Sequence, residues 1–188
     1  MSNALPPTLD SGEVVRRFLD DSIVKGDPGA VDRYFAEDVT YIPIVAHSPE
    51  LTAIMPWIGI QHGRDGVRGI YELLLANLEV LEFEVELAFG VEEQAAAFGR
   101  FRYRARSTGG VVESDWAIRA TVRDGLITYF HFYEDDYTLA TAFRRSGSWE
   151  IENHLGCREV PERAGAVAGD PRYGEDPAAR QPHEPAKE

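Results

Sequence analysis

The side chains best suited to chemistry lie in one aromatic run, Phe130-His131-Phe132-Tyr133-Glu134-Asp135. On an extended strand, successive side chains point to opposite faces. Either Glu134 faces the interior with Phe130 and Phe132, or His131 does so with Tyr133 and Asp135. A carboxyl buried beside rings has a raised pKa, because burial disfavours its charged form. Such a group suits general acid–base catalysis near neutral pH. Tyr41 and Tyr103 each bring a hydroxyl that needs a partner when buried and could orient a ligand oxygen. Glu134, Tyr103 and Tyr41 are therefore the candidate catalytic residues. Trp116, Phe101, Phe132 and Phe130, with Ser114 and Trp57, are candidates for gripping a substrate, although aromatics at strand spacing also serve simply as core. His47 and His62 lie on a long loop that could cap a pocket mouth, since loops of that length often act as lids or binding loops.

Other chemistries find little support. His47, His62 and His131 fit no metal-ligand spacing, so no metal site is expected. Cys157 is the only cysteine; it cannot form a thiolate cluster alone and reads as an inert thiol. There is no nucleophile elbow, phosphate loop or dinucleotide fingerprint, and no cofactor is expected.

The elements that must position these residues follow from periodicity. A helix is predicted through EVVRRFLDDSIV, with Ser11 as N-cap and Val14, Phe18, Leu19 and Ile23 on its apolar face. A short helix with Pro28 at its first position follows, with Val31, Tyr34 and Phe35 as its stripe. Asp38 begins the strand VTYIPI, and the loop AHSPELTAIMPWIGIQHG comes next. A helix over RDGVRGIYELLLANL packs through Val67, Ile70, Tyr71, Leu74 and Leu78. The period then becomes alternating. LEFEVELAF sets Phe83, Val85, Leu87 and Phe89 against Glu82, Glu84 and Glu86, and AAAFGRFRYRAR sets Gly99, Phe101, Tyr103 and Ala105 against Arg100, Arg102, Arg104 and Arg106. These patterns indicate a sheet with one buried face. The segment YTLATAFRR reads as a helix or helical turn.

Turn residues suggest registers. A turn in Gly90–Gln94 sets Glu84 opposite Arg100 and Glu82 opposite Arg102. Centring the next hairpin on Ser107–Gly110 pairs Arg104 with Glu113, Arg102 with Asp115, Phe101 with Trp116 and Tyr103 with Ser114. The arginines then belong to a solvated charge ladder rather than an anion site. The hairpin VRDGLI is ambiguous. A two-residue Asp124-Gly125 turn puts His131, Tyr133 and Asp135 beside Trp116, whereas a three-residue turn with Gly125 left-handed puts Phe130, Phe132 and Glu134 there.

The chain has 188 residues, 44% of them hydrophobic and 27% charged, as expected of one globular domain. No apolar run approaches the ~20 residues needed to span a bilayer, and the first ten residues show no signal-peptide pattern. A cytoplasmic location is expected. The net charge of −13 opposes binding to nucleic acid or an anionic membrane. Residues 1–10 read as a loose leader, 11–157 as the folded domain, and 158–188, with five prolines, as a disordered tail.

The order of elements, with the runs YFAEDVTYIPI, GRDGVRGIYELL and VRDGLITYFHFYEDDYTLATAF, resembles the nuclear-transport-factor-2-like superfamily over residues 11–145. That superfamily includes ketosteroid isomerase, SnoaL-type cyclases, limonene epoxide hydrolase and scytalone dehydratase. The resemblance implies an α+β fold: a cone-shaped, curved antiparallel sheet packed on N-terminal helices, enclosing a pocket. It also implies a homodimer and favours the bulged hairpin, which gives the pocket an aromatic row, Phe101, Trp116 and Phe132, and a polar row, Tyr103, Ser114 and Glu134. The family's catalytic positions are mostly altered here. Phe132 stands where epoxide hydrolases and cyclases carry an Asp, Gly99 and Phe101 where epoxide hydrolases carry Arg and Asp, and Pro43 at the ketosteroid isomerase base. Tyr41 alone keeps its counterpart, a water-binding Tyr.

The resulting expectation is a cofactor-independent acid–base enzyme for a small apolar or aromatic metabolite, of isomerase, dehydratase or cyclase type. The alternatives are a non-catalytic ligand-binding or scaffold domain, and a structural subunit resembling the β subunits of ring-hydroxylating dioxygenases.

Overall fold

The computed structural model of the protein describes residues 10–44, 48–146, 149–153 and 156–160, the last two segments as backbone alone. Helix α1 (Ser11–Leu19) starts one residue earlier than its sequence signal. Asp10 is the N-cap, its carboxylate accepting from Gly12 N at 2.6 Å. Ser11 instead lies buried inside the helix and donates its Oγ to Gln94 O. The helix widens into one π-helical stretch, Asp20–Val24. Val14, Phe18, Leu19 and Ile23 are buried, as their spacing requires.

Helix α2 (Ala30–Tyr34) is short, and Pro28 precedes it rather than opening it. Strand β1 (Phe35–Pro43) begins three residues before Asp38. The long loop contains helix α3 (Pro49–Ile54), capped by Ser48 Oγ accepting from Leu51 N at 3.3 Å, and the short edge strand β2 (Gln61–His62). Helix α4 (Gly63–Asn77) buries Val67, Ile70 and Tyr71.

Strands β3 (Leu78–Val91), β4 (Gln94–Ala105), β5 (Val111–Arg123) and β6 (Leu126–Glu134) form a meander, and helix α5 (Asp136–Thr141) follows. The sheet order is β2-β1-β6-β5-β4-β3, with β1 parallel to β6 and every other pair antiparallel. Its inner face packs on α1 and α4 around Phe18, whose ring lies 4.6, 5.3 and 5.6 Å from those of Phe35, Tyr71 and Phe130. Among the described residues no helix is long and apolar enough to cross a membrane.

The described residues up to 146 form one compact unit, and those from 149 to 160 belong to a second. Within the second, β7 (Trp149–Asn153) pairs antiparallel with β8 (Gly156–Val160), a hairpin the sequence pattern did not signal. The expected tail thus begins inside a strand at 158–160, and 161–188 lie outside the described residues.

The registers correct three expectations. Glu84 does face Arg100, and Glu82 faces Arg102. However, β3 carries two bulges, at Leu81 and Glu86. The second turns Leu87 and Phe89 outward, leaving them 52% and 47% exposed, and brings Ala88 to the inner side. The β4–β5 pairing sits two residues from the expected one: Arg102 faces Glu113, Arg100 faces Asp115, Phe101 faces Ser114, and Trp116 faces Gly99. A two-residue slide leaves the faces unchanged, so the charge ladder survives, with Arg100 2.9 Å from both Glu82 and Glu84.

The third correction is at Asp124-Gly125. Both residues have positive φ, 52° and 79°, and Arg123 faces Leu126, so the turn is the tight two-residue type. The bulge lies further on. Val122 faces Ile127 and Thr121 faces Tyr129, leaving Thr128 as an extra residue. It reverses the alternation, so Phe130 is fully buried, Phe132 and Glu134 point inward, and Tyr133 is 42% exposed. Trp116 faces Glu134 and Ile118 faces Phe132, two residues from the expected pairs.

Candidate active site

The reversed alternation brings Glu134 to a cavity of about 30 Å³ between the sheet, α1, α4 and α5. Its walls are mostly apolar, including Leu19, Ile23, Ile70, Phe83, Phe132 and Leu139. Its polar side chains are Glu134, Tyr41, Tyr71, Tyr103 and Trp57. Glu134 is half-buried, and its side chain forms part of the cavity wall. Burial pushes its carboxyl up to about 8, with the charges of Asp136 and Asp135 adding to the effect. At pH 7 the protonated form, which carries an O–H, is therefore favoured.

Tyr41 and Tyr103 are both 3% exposed. Tyr41 sits on β1, which runs parallel to β6 with Tyr41 opposite Phe130, and the two rings stack at 5.4 Å. Its hydroxyl donates to the Tyr71 hydroxyl at 3.3 Å. Tyr103 is held by Phe101, stacked at 4.1 Å. Burial raises both phenols, and the charge of Glu134 acts on each in the same direction. Burial likewise holds Tyr71 well above its ordinary value. The sequence reading treated Tyr71 as helix packing. Its place on the apolar stripe of α4 gave no sign that its hydroxyl meets another across the core.

The remaining candidates separate by layer. Trp57 and Phe132 line the cavity. Trp116 stands behind them, stacked on Phe83 at 5.0 Å and Phe132 at 5.6 Å. Its partner strand carries Gly99, where a Cβ would come 2.6 Å from the indole and 1.9 Å from the Glu84 carbonyl. Phe130 and Phe101 support the two tyrosines rather than lining the cavity. Ser114 is occupied: its Oγ donates to Asp115 O at 2.7 Å and accepts from Asp135 N at 3.2 Å, pinning the end of β6.

His62 lies exposed on β2, 3.4 Å from Thr40 Oγ1, and does not line the cavity; His47 is outside the described residues. The His131–Asp135 alternative fails, since His131 packs outside on Tyr133 at 3.9 Å and reaches Ile44 O at 3.2 Å, while Asp135 caps α5. An open groove of about 430 Å³ also lies among Asp38, Arg119, Thr121, Arg123, Thr128 and Tyr129. It is open, charged and solvent-exposed, unlike the mostly apolar inner cavity.

Residues 15–130 match the SnoaL-like domain family. The chain belongs to that family. It is 32% identical over 114 residues to patulin synthesis protein F of Aspergillus clavatus, covering 59% of this chain and 58% of the relative. It is 31% identical over 117 residues to patulin biosynthesis cluster protein F of Penicillium expansum, covering 61% and 59%. The chain thus spans about three fifths of the length of these curated relatives. Among solved structures, a nuclear-transport-factor-2-like protein from Burkholderia xenovorans superposes with a TM-score of 0.60 at 22% identity, covering 73% of this chain and 99% of that one. This SnoaL-like chain therefore has the α+β architecture of a curved sheet wrapped on helices.

Proposed function

We propose that this SnoaL-like protein is a cofactor-independent acid–base enzyme acting on a small apolar or aromatic metabolite by isomerisation, dehydration or cyclisation. The observation that carries the reading is the Glu134 carboxyl in the cavity wall, pushed up to about 8 amid apolar side chains. Near neutral pH such a group can give a proton to a substrate oxygen and take one back from carbon with little driving force lost. Tyr103 and Tyr41 orient the polar end of the substrate, Tyr41 itself fixed by Tyr71. Phe132 and the aliphatic walls hold the carbon skeleton. The names of the two fungal relatives support small-molecule synthesis as the setting.

The competing reading is a ligand-binding domain without turnover. It draws on the apolar residues Phe132, Phe101 and Gly99 at positions where the family's enzymes carry charged ones. One experiment separates the two: incubate wild type and Glu134→Gln with metabolite extract and follow products by mass spectrometry. The enzyme reading expects a metabolite to change retention at constant mass, or to lose one water, with wild type only. Identical profiles for both proteins would sink it.

We further propose a homodimer formed through the outer sheet face. Its support is an exposed apolar cluster of Leu87, Phe89 and Phe98, the two phenylalanines stacked at 6.3 Å. The adjacent ladder carries acids and arginines side by side, so a second copy related by a two-fold axis can meet it with opposite charges.

A further inference from the structure

The cavity wall contains one polar group that the acid–base reading leaves without a task. Trp57 is 1% exposed, and its indole Nε1 has no hydrogen-bond partner among the described residues. An indole N–H donates and never accepts. Buried donors left without a partner are rare in folded proteins, because the lost hydration is not replaced. Trp116 also has an unpartnered Nε1, but its ring is sandwiched between Phe83 and Phe132 behind the wall. Trp57 belongs to the cavity lining itself.

The rest of the lining says what the missing partner must be. Among the described residues no Lys, Arg or His lines the cavity, so none of these residues neutralises a carboxylate or a phosphate there. The Tyr103 hydroxyl and the Glu134 carboxyl in the same lining can accept hydrogen bonds. The indole of Trp57 is the one described lining side chain that can only donate. A fitting ligand therefore brings an uncharged acceptor atom to it.

The mounting of Trp57 bears on how such a ligand enters. The residue sits in a turn, with Ile58 N donating to Met55 O at 3.1 Å. The preceding helix α3 buries none of its residues. A cavity of about 30 Å³ holds only about one or two water molecules, so a larger ligand must displace part of the wall. The weakly anchored α3 yields more readily than the hydrogen-bonded sheet.

We propose that Trp57 is the specificity-determining residue of the cavity, its indole N–H donating to a neutral acceptor oxygen of the ligand: a carbonyl, ether or epoxide oxygen. This rests on the reading of the cavity as the ligand site. It goes further by naming the chemical class that the site accepts and the residue that selects it.

The test uses two isosteric probes on the full chain, cyclohexanone and methylenecyclohexane, which differ only in presenting an oxygen or a CH₂. With tryptophan labelled by ¹⁵N, the Trp57 indole resonance is assigned by its loss in Trp57→Phe. Cyclohexanone should move that resonance downfield and slow its exchange with solvent, while methylenecyclohexane should do neither. Trp57→Phe should weaken cyclohexanone about tenfold, as expected for one hydrogen bond, and leave methylenecyclohexane unchanged. If the variant does not fold, the Trp57 indole resonance is assigned through its own backbone by triple-resonance NMR, and the wild-type response to the two probes decides. Equal responses to both probes would overturn the role of Trp57 while leaving the cavity as a ligand site. Failure of both probes to perturb any cavity resonance would overturn the inference together with that reading. Loss of turnover in Glu134→Gln bears on the acid–base reading alone, since probe binding does not require it.

Discussion

Glu134→Gln separates the cost of burying the carboxyl from its use. The folded-state value of about 8 stands above the ordinary 4.5. For an acid raised on folding, the neutral form is the one the fold accepts. Stability is then greatest below the unfolded value, falls as pH rises through the interval from about 4.5 to about 8, and levels off above it. At 1.36 kcal/mol per unit, this shift corresponds to a loss on the order of 5 kcal/mol between the two plateaus. Glutamine fills nearly the same volume, still offers a donor and does not ionise. The variant should match wild type near pH 4.5 and become progressively more stable than it towards pH 8.5. Urea unfolding at four or five pH values measures this, and the difference between the two proteins cancels every other titrating group. Parallel curves would show that the Glu134 carboxyl is solvated in solution. The acid–base reading would then lose its main support.

Three further outcomes test other parts of the structure. Gly99→Ala should destabilise by about 1–3 kcal/mol, as overpacking does, because its Cβ meets the Glu84 carbonyl and the Trp116 indole; thermal melting with Trp fluorescence checks it. Tyr71→Phe removes the partner of the Tyr41 hydroxyl and should cost about 0.5–1.5 kcal/mol, with turnover reduced and the circular dichroism spectrum unchanged. The double change Leu87→Glu with Phe98→Glu should yield monomer in sedimentation velocity without loss of secondary structure, since both side chains are already exposed.

Much of this architecture was legible because each signal was local. The apolar stripe Val14–Phe18–Ile23 requires a helix, and the acid and arginine alternation of β3 and β4 requires a one-sided sheet; both are observed. Tyr41, Tyr103, Trp57, Phe132 and Glu134 do meet at one cavity. What escaped was non-local or irregular. Ser114 reads as a pocket hydroxyl until its two backbone partners are seen. Leu87 and Phe89 read as core until the bulge at Glu86 turns them outward. Trp57 sits in a loop with no periodicity, so its burial depends wholly on what packs over it.

The bulge at Thr128 shows how much of the site hangs on one such irregularity. The Asp124-Gly125 turn by itself selects the register that would bury His131 and Tyr133 and expel Phe130, Phe132 and Glu134. Thr128, unpaired opposite β5, cancels that choice within three residues of the turn. Burying Phe130 and Phe132 in place of His131 and Asp135 favours the bulged arrangement, since buried rings stabilise by about 1.5–3 kcal/mol each and unpaired polar groups indoors are costly. This has a sharp consequence. Deleting Thr128 should not flip the strand, because it removes only the residue without a partner and joins Ile127 to Tyr129 in the register they already hold. The deletion should cost no more than about 1–2 kcal/mol, mainly from local strain where β1 follows β6. The Glu134 titration near pH 8 should persist, followed through its side-chain carboxyl carbon by NMR. A Glu134 that titrates in the ordinary carboxylate range after this deletion would mean that the strand had turned over. The bulge itself, rather than ring burial, would then be what holds the site indoors.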